Sequence, residues 1–318
     1  MKFAISDIVY ELGENKLDTS ELISRLNLSV AKKVELLDKI GTQNIFQANP
    51  DSDFLSLSTK CINSLMKNNK ISEEGLGILF VTQSNSQIIP AEGQRVRHAC
   101  QLSDSVFVLD LNIGCSGFVY ALFLAGSLIN SKGLKNIIIV CGDTYRKYLD
   151  PADRSTNLLF SDAVSAVLID SKSSSEILGF NFGGDGFNYE DISMEKPTIN
   201  SNPTYFKMNG AKVFSYTNNV IPKSINKVLL DSKKDFKDIS LFYFHQASGV
   251  VLESLKTKLN INEEQMPTSL SKFGNTGSAS IPITLSNSIL KNSIKNGDHL
   301  IFSGFGIGLS YGTILLKW

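Results

Sequence analysis

Cys115 sits in LDLNIGCSGF, residues 109–118, between an apolar strand pattern and a segment that is apolar on every side. A thiol in that place lies at the N-terminus of a buried helix, where unpaired amides and the macrodipole favour the nucleophilic thiolate. Gly114 and Gly117 allow a sharp turn and the close approach of a substrate. The same sulfur also fits a small core residue, the role read for Cys61, Cys100 and Cys141 in their apolar or small-residue settings. His245 closes a second apolar run, FYFHQAS at 242–248. It stands at the C-terminal end of a strand, the edge where open α/β sheets bind ligands. A hydrogen-bonded structural histidine is the other reading. His98, between arginines on a helix surface, and His299, at the start of a strand, read as structural. Asn275 lies in FGNTGSASIP at 273–282. It either caps a loop or holds an amide donor at a tight turn, aimed at a developing oxyanion.

The glycine-rich run SGFGIGLSYG at 303–312 follows a strand and precedes another, so it is no dinucleotide fingerprint. It reads as a turn whose backbone amides face a ligand. The order Cys115, His245, Asn275 also fits a papain-type cysteine protease, but the contexts do not. No aromatic follows the cysteine directly, no second cysteine is near, and nothing suggests an extracellular disulfide setting. The three histidines do not cluster with the four cysteines, so no metal site is expected.

These residues need a rigid frame. Strand-length apolar runs occur at 77–81, 106–109, 136–141, 163–169, 240–244, 299–303 and 312–316. Continuous β-branched runs of this kind suit strands covered by helices on both faces. Helical patterns occupy 18–28, 52–67, 118–130, 213–230 and 248–259. The expected class is therefore α/β, with helices layered around sheet. KNIIIVCG at 135–142 recurs as GDHLIFSG at 297–304, and GILFVTQS at 77–84 as LFYFHQAS at 241–248, both offset by about 160 residues. Either two related halves meet in the polar stretch 170–175, or two apolar strands match by chance. Residues 181–203, rich in Gly, Asn and Asp, read as surface loop or hairpin.

The chain has 318 residues, 42% hydrophobic and 19% charged, with 31 Lys plus Arg against 31 Asp plus Glu. Its mean hydropathy is zero. A disordered chain, a collagen-like fibre and a small disulfide scaffold are excluded. The charge balance argues against a dedicated nucleic-acid partner. The N-terminus lacks the apolar core of a signal peptide, and the longest apolar stretch, 117–129, is too short to cross a bilayer. No membrane partner and a cytoplasmic location with free thiols are expected.

Together the motifs resemble the thiolase superfamily and, within it, ketoacyl-acyl-carrier-protein synthase III, along the whole chain. NIGCSGF at 112–118 resembles the nucleophile motif. His245-Gln246-Ala247 resembles a His-Gln-Ala-Asn motif, with Ser248 in place of Asn. GNTGSASIP at 274–282, DPADR at 150–154 and the closing glycine-rich strand pair also fit. The resemblance implies a duplicated α-β-α-β-α five-layer fold, with halves 1–172 carrying the cysteine and 173–318 carrying the histidine and asparagine.

The implied chemistry is decarboxylative Claisen condensation, in which Cys115 takes an acyl group from a thioester and a malonyl thioester then extends it to a 3-ketoacyl thioester. The N–H groups of Cys115 and Ile307 are the implied oxyanion hole, and His245 and Asn275 the implied donors to the malonyl carbonyl. No metal or organic cofactor is implied, the substrates being thioesters of coenzyme A or an acyl carrier protein. Implied substrate-binding positions are Arg154, Lys39, Phe160, Gly210, Phe214, Ala247, Ser248 and Phe305. Ile89 occupies the place of a partner-subunit residue lining the acyl pocket, which implies a homodimer. Lys256 and Lys258 are the implied contacts to an acidic carrier protein.

There are departures from the family pattern. Glu35 and Lys39 stand where the family has a Trp and an Arg that hold coenzyme A. Val250 replaces an expected basic residue, and Ser215 fills another carrier-docking position. Loss of the aromatic face and gain of a carboxylate weaken coenzyme A binding. A divergent member is expected, fed by a carrier protein or serving a specialised lipid or natural-product pathway. Two rivals remain: acyl transfer to an oxygen, nitrogen or carbon nucleophile without decarboxylation, and a weakly active subunit of a heterodimeric ketosynthase. Intact His245 and Asn275 favour condensation.

Overall fold

The computed structural model describes residues 1–83, 89–131, 133–194 and 205–318. Eight strands share one hydrogen-bonded network: β1 (Lys2–Leu12), β2 (Leu76–Val81), β3 (Phe107–Leu111), β4 (Asn136–Asp143), β5 (Ala163–Gly184), β6 (Leu241–Phe244), β7 (His299–Gly306) and β8 (Ser310–Lys317). The main helices are α1 (Val30–Ile40), α2 (Phe54–Asn69), α3 (Glu92–Ala99), α4 (Gly117–Ile129), α5 (Gly210–Asp231), α6 (Gly249–Leu259) and α7 (Ser280–Leu290).

The pairing scheme is run twice. β2 lies parallel to β4, β4 antiparallel to the start of β5, and that part of β5 antiparallel to β1. In the same way β6 lies parallel to β7, β7 antiparallel to β8, and β8 antiparallel to the end of β5. The polar stretch 170–175 lies inside β5. There the register against β1 jumps from Ala4↔Asp170 to Phe3↔Ser175.

Every central strand is apolar on both faces because it feeds two cores. In β2, Leu79 and Val81 point into a central core with α4 and α7, while Ile78 and Phe80 point into an outer core with α2 and α3. In β6, Leu241 and Tyr243 face the same central core, and Phe242 and Phe244 face the other outer core, with α5 and α6. Three cores between alternating helices and strands give the expected five layers. α4 is buried nearly all round, which is why its sequence shows no polar face.

Some elements differ from the sequence expectation. β1 was not expected because Asp7 interrupts its apolar run. The strand tolerates Asp7 through a register shift between Ile5 and Asp7, and Asn69 Nδ2 donates to the carboxylate at 2.7 Å. α1 was missed because Val30 and Val34 face outward, which blurs its apolar stripe. The helix expected over 18–28 contracts to Thr19–Ser24. Within the loop or hairpin expected at 181–203, the residues up to Gly184 belong to β5, Gly186–Asp191 forms a 3-10 turn, and Ile192–Ser193 pairs antiparallel with Lys207–Met208. Residues 195–203 lie outside the described residues. No helix among the described residues is long and apolar enough to cross a membrane.

The central core makes a direct test of this layering. Leu122 on α4 is fully buried there. Leu122→Ala is expected to lower unfolding stability by about 2–5 kcal/mol, read as a shift in the denaturant midpoint. A loss below about 0.5 kcal/mol would mark a surface position instead.

Candidate active site

Cys115 lies on the turn between β3 and α4, held by hydrogen bonds from Ile113 N to the Leu111 carbonyl (2.9 Å) and from Gly117 N to the Gly114 carbonyl (2.8 Å). The turn presses against the end of β7. A Cβ on Gly306, whose φ is +146°, would stand 2.8 Å from Cys115 Cβ and 3.0 Å from its Sγ. Only glycine permits both that φ and that approach. The backbone amides of Ile307 and of Cys115 itself act on the sulfur and favour its thiolate. Burial outweighs them and, with a further push from the Asp143 carboxylate, raises the thiol to about 12. The expected preference for thiolate at the helix N-terminus is therefore overridden, and the resting group at neutral pH is the thiol.

His245 ends β6 and is buried. Its N–H donates to the Ser303 carbonyl at 2.9 Å, and its Nδ1 lies 2.8 Å from Ser280 Oγ. The ring stands edge-on to Phe305 with centroids 5.5 Å apart. Burial lowers its pKa to about 3, opposed by backbone hydrogen bonding at Gly277. The imidazole is neutral, with one ring nitrogen a donor and the other an acceptor.

Asn275 is fixed at both ends. Its backbone N–H donates to the Leu159 carbonyl (2.9 Å), and its carbonyl accepts from Ser161 N (2.8 Å). The side-chain Oδ1 accepts from Gly277 N at 3.0 Å, and Nδ2 donates to the Ala247 carbonyl at 3.1 Å. These bonds determine which end of the amide is nitrogen and use one of its two hydrogens.

Cys115, His245 and Asn275 line one cavity of about 70 Å³. Phe160, Ala247, Phe305 and Ile307 line it as well. An outer cavity of about 730 Å³ shares Leu159, Met208, Gly210, Phe214, Ser248 and Val251 with it, so the two form one tunnel. Arg154 and Lys39 line the outer part. There Lys39 Nζ is ion-paired to Glu35 at 2.5 Å.

Three expected positions lie apart from the tunnel. Ile89 lines neither cavity and is 95% exposed. Lys256 Nζ is 2.6 Å from Glu253, and Lys258 Nζ donates to the Asn218 carbonyl at 2.8 Å.

Sequence reasoning missed Ile192 and Met208, which sit in short strands with no periodic signal, and the role of Gln246. Gln246 Oε1 accepts from Ser269 N (2.9 Å) and Leu270 N (3.2 Å), tying the segment before Asn275 to the end of β6. Its position directly after His245 was the available signal. Among the described residues no group of three His, Cys, Asp or Glu could hold a metal ion.

A buried floor of this kind, set where two similarly paired runs of strand converge, is what an acyltransferase of the thiolase fold is built around. Residues 109–186 match the family model for 3-oxoacyl-[acyl-carrier-protein] synthase III, and residues 229–318 match the model for its C-terminal part. The chain is 31% identical to a beta-ketoacyl-[acyl-carrier-protein] synthase III of Fusobacterium nucleatum over 85% of this chain and 86% of that protein. It is also 31% identical to one of Oenococcus oeni over 84% and 85%. A crystal structure of a 3-oxoacyl-(acyl-carrier protein) synthase from Burkholderia xenovorans LB400 superposes with a TM-score of 0.90 at 26% identity, over 99% of this chain and 94% of that one. The chain belongs to the 3-oxoacyl-[acyl-carrier-protein] synthase III family and is a condensing acyltransferase.

The lowered imidazole pKa has a measurable consequence. A histidine depressed to about 3 stays neutral from pH 8 down to pH 5, and its contribution to stability is lost as pH falls from the unfolded value of about 6.5 toward 3. An NMR titration of His245 should show no transition between pH 8 and pH 5, and a midpoint near 6.5 would contradict the burial argument.

Proposed function

We propose that Cys115 is the acyl-carrying nucleophile and that the chain condenses acyl-Cys115 with a malonyl thioester by decarboxylation, releasing a 3-ketoacyl thioester. The observation that carries this reading is the meeting of Cys115, His245 and Asn275 on one buried cavity. In the first half-reaction Cys115 Sγ attacks the donor carbonyl. The thiol proton leaves with the departing thiol of the donor, so no free thiolate need persist at rest. The oxyanion is held by the N–H groups of Cys115 and Ile307. In the second half-reaction the malonyl carbonyl accepts hydrogen bonds from His245 Nε2 and Asn275 Nδ2. Carbon dioxide leaves, the resulting enolate carbon attacks acyl-Cys115, and the sulfur departs and regains a proton. Each donor to a developing oxyanion contributes roughly 3–4 kcal/mol. The substrate supplies its own activation as a thioester, and no metal or organic cofactor is required.

An acyl carrier protein is the donor that best suits the tunnel mouth. The Glu35 carboxylate there engages Lys39, the cation nearest the expected coenzyme A phosphates. Lys256 and Lys258, on the same helix α6 as Val250 and Val251 of the mouth, are the proposed contacts to the acidic carrier. We also propose a homodimer. β3 is the edge of its sheet, with Phe107 40% and Leu109 37% exposed, and Ile89 is free to reach a second subunit. The repeated pairing scheme supports two related halves, 1–172 and 173–318. Free cysteines at 61, 100, 115 and 141 suit a reducing cytoplasm.

Incubation with acyl and malonyl thioesters tests the reading, with mass spectrometry of Cys115 and capture of carbon dioxide. Cys115→Ala should abolish the acyl-enzyme. Asn275→Ala should slow carbon dioxide release about 100- to 1,000-fold while acylation persists. Equal loss of both steps refutes the assignment of Asn275, and an acyl-enzyme with no carbon dioxide release points to plain acyl transfer.

A further inference from the structure

We propose that Ser116 and Ser310 are positioning residues whose hydroxyls form a relay that holds the Ile307 N–H in the oxyanion hole; this rests on the acyl-Cys115 reading above. Ile307 sits between Gly306 (φ +146°) and Gly308 (φ +137°). A residue flanked by glycines on both sides has little local stiffness of its own. An oxyanion donor, however, works only when held within about 0.5 Å of its productive place.

The Gly306–Ser310 strand pair and a bond from Asp185 N to the Leu309 carbonyl close the turn, and hydroxyl groups add the hold on Ile307 itself. Ser310 Oγ donates to the Ile307 carbonyl at 2.7 Å. Ser116 Oγ lies 2.7 Å from Ser310 Oγ. A serine hydroxyl has one hydrogen, and Ser310 has spent its own on a carbonyl that can only accept. Ser116 must therefore donate to Ser310, and the direction of the relay is fixed: Ser116 to Ser310 to the Ile307 carbonyl. Aligned hydroxyls polarise one another and strengthen the chain.

The N-terminus of α4 carries an independent sign of this role. Ser116 is the N-cap residue of α4, where a serine side chain ordinarily bonds an exposed amide of the first turn. Here it makes no capping bond. Its buried hydroxyl crosses to a residue 194 positions later instead. The nucleophile turn and the glycine-rich turn thus touch in two ways. The Gly304 and Gly306 backbones press against Ser116 and Cys115 and set the spacing. The relay sets the orientation of Ile307.

The test uses the full chain with Ser310→Ala, Ser116→Ala and Ser310→Thr, and three readouts. Single-turnover acetylation of Cys115 by acetyl-acyl-carrier protein, with acetyl-coenzyme A in parallel, followed by mass, should slow about tenfold in Ser310→Ala and Ser116→Ala. Carbon dioxide release from malonyl-coenzyme A, which depends on His245 and Asn275, should stay within about twofold of the unmodified protein. In protein labelled with ¹⁵N-isoleucine, the Ile307 amide resonance should shift or broaden in both alanine variants. Ser310→Thr keeps the hydroxyl and should restore acetylation and the resonance. If Ser310→Ala does not fold, Ser116→Ala carries the same three measurements.

Acetylation at the unmodified rate overturns the proposal, as does an Ile307 resonance that does not move. Equal loss of acetylation and carbon dioxide release overturns it too, because that marks a general structural role. If the unmodified protein is acetylated from neither acetyl-acyl-carrier protein nor acetyl-coenzyme A, the condensing reading fails, and the Ile307 resonance alone decides the relay.

Discussion

Burial of Cys115 and His245 at the tunnel floor governs the protonation of both groups. Burial moves the two reactive groups in opposite directions on the pKa scale, the thiol up to about 12 and the imidazole down to about 3. The cause is the same for both, since a low-dielectric site disfavours whichever form carries charge. The floor therefore holds neutral partners until a substrate brings charge with it. In the proposed reaction, hydrogen bonds from Ile307, Cys115, His245 and Asn275 act in this low-dielectric setting, where such donors are strongest. In that proposal the fold holds the donors in place in advance, which limits rearrangement when the oxyanion forms.

Holding such a floor needs stiff supports from several directions. Cys115 comes from the end of one set of strands, and His245 with the glycine-rich turn from the end of the other. Asn275 is tied by its backbone to Leu159 and Ser161, so the segment beside the first half's strands clamps a residue of the second. Gln246 fastens the same segment to β6. The close contact of Gly306 with Cys115 leaves no room for a side chain between the two turns.

Much of this was legible in the sequence, because the signals were local and chemical. All seven apolar runs expected as strands are strands, most of them because a strand buried on both faces must be apolar throughout, while the edge strand β3 keeps Phe107 and Leu109 partly exposed. The helix after Cys115 revealed its central position by lacking a polar face. The elements missed were those whose polarity is met by tertiary contact. Asp7 in β1 is satisfied by Asn69, and α1 directs two valines outward. The protonation state of Cys115 was misread for a related reason. A helix terminus is visible in sequence, but the depth of burial that overrides it depends on the whole surrounding fold. Ser116 shows the same limit: its type and place suggest an ordinary helix cap, and only the position of β8 reveals its partner.

β5 has a mechanical consequence. One unbroken strand bonds β4 and β1 with its first part and β8 with its second. A chain that opened and closed about a hinge between its halves would have to tear that ladder, so jaw-like motion is unavailable to it. Access to Cys115 is then a matter of local movement where the two cavities meet, with Phe214 and Met208 among the residues that line both.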